Sequence, residues 1–152
     1  MNPLELLVLS MLRIARLMRL DRLLRLGSSS YRFTDYFRGF ERVEAVRELF
    51  GDRTAEVLES LRVEFTWFGG YMMVSDRDGH MMVSARYLNE GDSVDIYLDV
   101  IHELVHVKQF MEGKELFDVH FGYTERPTEI EAYRHAVEEA RRIGLSDARI
   151  CA

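Results

Sequence analysis

Helical periodicity at both ends of this 152-residue chain, a central block that alternates with period two, and a turn signal between two matching apolar runs predict an α+β fold. The expected architecture is a set of N-terminal helices, a small antiparallel sheet of about three strands, and two helices after the sheet.

Taken in order, residues 3–26 read as one Leu-rich helix. Arg13, Arg16, Arg19, Arg22 and Arg25 recur at every third position, so they wrap partly round a 3.6-residue helix. Gly27-Ser28-Ser29-Ser30 is a flexible break, which divides the chain into an amphipathic segment, 1–30, and a main domain, 31–152. Helical patterns follow at 34–50 and 53–61. The period then changes: Val63, Phe65 and Trp67 alternate with polar neighbours, as in a half-buried strand. Met72-Met73-Val74-Ser75 and Met81-Met82-Val83-Ser84 flank Asp76-Arg77-Asp78-Gly79 and read as a β-hairpin. Asp92 or Ser93 can cap a helix that runs to about Glu112 and stops at Gly113. Residues 114–126 form an irregular connection. Pro127-Thr128 opens the last long helix, with Thr128 and Glu131 spaced as a capping box; it ends near Gly144, and Ser146-Asp147 offers one more N-cap.

Composition narrows the function classes. Net charge is −6, so bulk electrostatics give no reason to expect nucleic acid. The charge is uneven. Residues 1–40 hold seven arginines against three acids, and the remainder holds thirteen bases against twenty-three acids. The basic 3–26 segment is therefore expected to dock on the acidic domain or on a second copy of the chain; association with an anionic membrane surface is the competing reading. No segment has the roughly 18–20 consecutive apolar residues of a bilayer span. Cys151 is the one cysteine, which excludes an intramolecular disulfide and an all-cysteine metal site. It suits a reducing compartment, and with no export signal a cytoplasmic location is expected.

The chemistry concentrates in His102-Glu103-Leu104-Val105-His106. Residues i and i+4 share a helix face, so two imidazoles can meet one Zn²⁺ at about 2.0–2.1 Å. Glu103 falls beside the metal, where it can act as general base towards a water activated there. The surrounding residues are apolar, and polar groups on a buried helix need partners. A pair of core histidines bonded to neighbours is the plainer alternative. A catalytic site needs a third ligand. Glu129 is preferred, because it shares a face with Tyr133 and because small Ala132 lets its helix approach the histidine helix. Glu131, taken as the capping-box partner, comes second, followed by Glu125, His120 and Asp118. For an oxyanion donor, His120 and Tyr123 on the connection are the candidates, with Tyr133 beside them. His80 and His135 read as structural, and Asp76 and Asp78 as turn residues.

His102-Glu103-x-x-His106 followed by Glu129-x-x-Ala132 resembles the gluzincin metallopeptidases, and the small size resembles their minimal members, the minigluzincins. The resemblance spans about residues 62–143. It implies a zincin-like domain, a zinc cofactor held by His102, His106 and a glutamate on a second helix, and a peptide or protein substrate that pairs with an edge strand over the site. Tyr133 stands where many gluzincins carry Asp or Asn. Two other readings are a non-proteolytic zinc-binding interaction domain and a latent peptidase covered by its N-terminal helix.

Overall fold

Phe33, Phe37 and Phe40 are fully buried: Phe33 stacks on Phe37, Phe40 meets both edge-on, and Phe40 stacks in turn on Tyr97 of a distant helix. This aromatic knot starts a hydrophobic cluster that runs from Phe33 to Ile143. The computed structural model describes residues 31–66 and 70–151. The 3–26 segment, the break after it and Trp67 lie outside the described residues.

The elements in chain order are β1 (Tyr31–Arg32), α1 (Phe33–Tyr36), α2 (Glu44–Phe50), α3 (Thr54–Ser60), β2 (Arg62–Thr66), β3 (Met72–Val74), β4 (Met81–Ser84), α4 (Ala85–Glu90), α5 (Ser93–Met111), α6 (Pro127–Arg142) and α7 (Asp147–Ile150). Among the described residues no helix is long and apolar enough to cross a membrane. The single helix expected over 34–50 is broken. Phe37, at φ −119° and ψ +79°, leaves helical backbone and ends α1, and Gly39, at φ +89°, opens the 3-10 turn at Phe40–Arg42 that intervenes before α2. The short α4 is also unforeseen: Ser84 at the end of β4 caps it by accepting from the Tyr87 amide.

The fold class is α+β, but the sheet has four strands and is mixed. The order is β1-β2-β4-β3, with β1 and β3 antiparallel to their neighbours and β2 parallel to β4. After β2 the chain crosses to the far edge, forms β3, and returns as β4 beside β2. Burial decides which arm of the hairpin goes inside. Met81 and Val83 of β4 are fully buried, whereas Met73 of β3 is exposed. The near-identical sequences of the two arms conceal that choice.

Two devices hold the hairpin. Gly79, at φ +75°, lies against the Phe110 ring of α5, which a Cβ would meet at 2.4 Å. His80 pairs through Nδ1 with Asp78 and through Nε2 with Glu64 of β2 at 2.9 Å. That bears out the structural reading of His80.

Helix α5 begins at Asp92, whose side chain accepts from the amides of Val94 (2.9 Å) and Asp95 (3.3 Å). It ends at Gly113 in the left-handed region, with the Lys114 amide bonded back to the Gln109 carbonyl. Helix α6 packs on α5 across Ala132, which is fully buried. A buried polar link joins the far ends: the Tyr97 hydroxyl donates to Glu139 at 2.5 Å, and Arg142 donates to Glu139 at 2.6 Å.

Replacing Gly79 by Ala should cost about 1–3 kcal/mol, read from denaturant midpoints, because it combines a strained φ with a ring clash. A second prediction concerns pH. Burial lowers the His80 pKa, but hydrogen bonds to Asp78 and Glu64 outweigh it, so the net shift is upward. A raised pKa stabilises the fold below the ordinary histidine value and loses that contribution as pH rises through the folded value. His80→Gln should therefore flatten the fall in stability between about pH 6 and 8, measured as the difference from wild type.

Candidate metal centre

The apolar run Val100, Ile101, Leu104, Val105 and Val107 drives α5 into the core, and His102, Glu103 and His106 are carried in with it. Helix α6 brings Glu129 from its first turn. His102 Nε2 lies 3.2 Å from His106 Nε2, and the Glu129 carboxylate lies 3.1 Å from each. All three residues are buried. Ligands bound tetrahedrally at 2.0–2.1 Å stand about 3.3 Å apart. Glu129 meets the two rings through different oxygens, Oε2 towards His102 and Oε1 towards His106, and one ligand atom from each of the three residues lies within 4.8 Å of the others, so the group can bind a metal ion.

The same contacts set the electrostatics of the group. Burial raises the Glu129 pKa, but hydrogen bonds from His102 and His106 more than reverse it, to about 2. Burial lowers His106, but its bonds to Glu129 and Gln109 and the field of Glu103 carry it upward overall. Glu103 is different. Burial pushes it to about 8; His106 opposes that, and the charges of Glu129 and Asp99 add to it. Its Oε2 is buried without a hydrogen-bond partner. Such a group is costly unless something else completes it. A carboxylate aimed beside three converging ligands is what a bound ion and its water would satisfy.

The site opens into a cleft of about 240 Å³. Glu103, His106 and Glu129 form its floor, β3 (Met72–Val74) one wall, and Leu116, Phe117 and Tyr123 the other. Among the described residues only His102, His106 and Glu129 form a potential metal-ligand group.

The candidate residues are sorted as follows. His102, His106 and Glu129 come together. Glu103 lies beside them. Tyr123 lines the cleft. Tyr133 packs edge-on against the His102 ring at 4.6 Å. His120 is not among the cleft residues; its side chain is 85% exposed and it pairs with Asp118 at 2.9 Å. The connection turns it outward, to solvent. Glu125 is likewise exposed. Glu131 is not a capping partner. Pro127 takes the first helical position, so Thr128 lies inside the helix and bonds to the Leu116 carbonyl, while Glu131 accepts from Gln109 and Lys114. Gln109 is the functional candidate that sequence reasoning passed over. It lies one turn beyond His106, a spacing that places it on the same face.

Comparison with known protein families, with curated proteins and with solved structures finds no match.

About one divalent ion per chain is expected by elemental analysis of protein purified without added metal. The His102→Ala, His106→Ala double variant should retain none. Metal kept by that variant would place the ion elsewhere.

Proposed function

We propose that the chain is a zinc-dependent metallopeptidase of the gluzincin kind, with His102, His106 and Glu129 as ligands and Glu103 as general base. The observation that carries this is the unpaired, buried Glu103 carboxylate oxygen beside three ligand atoms at ion-binding separations, facing an open cleft. Two imidazoles and a carboxylate suit zinc, and three ligands leave a position for water, as catalytic rather than closed structural sites do. That count favours an enzyme over a purely structural zinc domain.

Zinc bound there would supply Lewis acidity, polarising a carbonyl and lowering the pKa of water. Glu103 takes a proton from the attacking water. The water oxygen bonds to the carbonyl carbon, the carbon–nitrogen bond breaks, and Glu103 returns a proton to the leaving nitrogen. Tyr123, on the cleft wall, supplies a hydroxyl for the developing oxyanion. Strand β3 supplies the binding rail. The Tyr71 carbonyl accepts from Ser84 of β4 and the Ser75 amide donates to His80 just before β4, so alternation turns the backbone groups of Met72 and Val74 towards the outer edge. An extended peptide can pair with them.

Glu103→Gln should keep its zinc and lose about 10²–10⁴-fold in turnover on a diverse peptide library, since it removes a base and spares the ligands. A zinc-loaded wild type that cleaves no peptide would withdraw support for peptidase chemistry.

A further inference from the structure

Gln109 is fully buried, and every polar atom of its side chain is engaged. Its Oε1 lies 2.7 Å from His106 Nδ1. Its Nε2 lies 3.0 Å from the Thr128 carbonyl and 3.3 Å from the Glu131 carboxylate. The two groups facing Nε2 are acceptors, so the amide can stand only one way round: nitrogen towards α6, oxygen towards His106. An oxygen at that position accepts, and His106 Nδ1 must then carry the hydrogen. The Nε2 lone pair of the neutral ring is left pointing at His102 and Glu129.

We infer that Gln109 is the positioning residue of the metal centre: it sets the ligating tautomer of His106 and, through Thr128, anchors the turn of α6 that carries Glu129. This rests on the metal-site reading above. It adds that both helices are brought to the ion by one side chain. The arrangement resembles in kind the outer partners that fix ligand histidines in metal sites generally, whose loss costs 10–100-fold in affinity. Here the partner is a neutral amide, and it bonds to both ligand-bearing helices at once.

The test is direct measurement of tautomer and affinity. In metal-free wild type, long-range ¹H–¹⁵N correlation at alkaline pH should show His106 protonated at Nδ1; the Nε2–H form, the commoner one for free histidine, would overturn the inference. This measurement needs no variant. Gln109→Met keeps approximate volume and removes the hydrogen bonds. It should bind zinc 10–100-fold more weakly in competition with a chromophoric chelator, and its His106 should lose the fixed tautomer. Gln109→Glu keeps an acceptor towards His106 but sets a second carboxylate against Glu131 and the Thr128 carbonyl. It should retain the Nδ1–H tautomer while still losing affinity, a split that a merely space-filling role would not produce. Wild-type zinc affinity in Gln109→Met would overturn this inference and leave the metal-site reading standing. Absence of zinc binding by wild type would overturn both.

Discussion

Four ionisable side chains, His102, Glu103, His106 and Glu129, lie buried together at a helix–helix contact. Taking such groups out of water is unfavourable unless they satisfy one another or hold something that does. Everything around the contact follows from that constraint. Ala132 keeps the helices close, Tyr133 closes the side of His102, and Gln109 occupies the remaining side of His106. Without an ion, Glu129 is compensated by hydrogen bonds from both histidines, and Glu103 is left with an oxygen that nothing answers.

The sheet serves the same contact from above. Its inner strands bury their apolar faces, and the parallel β2–β4 pair forces β3 to the outside. An edge strand with unused backbone groups is ordinarily a liability. Here it forms a wall of the cleft, and the proposed function gives it an occupant. The His80 pairing and the Gly79–Phe110 contact hold the tip of that hairpin to β2 and α5 respectively, and so set where the wall stands.

Much of the centre was legible because its logic is local. Two histidines four apart on an apolar helix share a face by spacing, small Ala132 signals the close approach of the next helix, and Glu129 is set above Glu131 because it shares a face with Tyr133 while a capping box is expected to claim Glu131. The reason given against Glu131 was mistaken, since Pro127 displaced the supposed cap, yet the assignment of Glu129 agrees with the geometry. What could not be read was non-local. Gln109 owes its role to partners nineteen and twenty-two positions away. The outward turn of His120 depends on the path of an irregular connection. The strand order depends on a choice between two arms that share the same four residues. Gly39, by contrast, is a visible signal in the sequence, and its left-handed φ opens the 3-10 turn that follows the early end of α1 at Phe37.

The two ends of the proposed coordination set, His102 and Glu129, are 27 positions apart. A loop of that length closes at modest entropic cost, and doubling it would add only about 0.6 kcal/mol. The sheet spans less chain still: β2 and β4 pair Val63 with Met81, 18 positions on, and β3 and β4 pair Val74 with Met81. Contacts of low sequence separation form faster. The order of events that this topology favours is the β3–β4 hairpin and its pairing with β2 first and the α5–α6 contact afterwards, so that the wall of the cleft stands before the ligands converge on it.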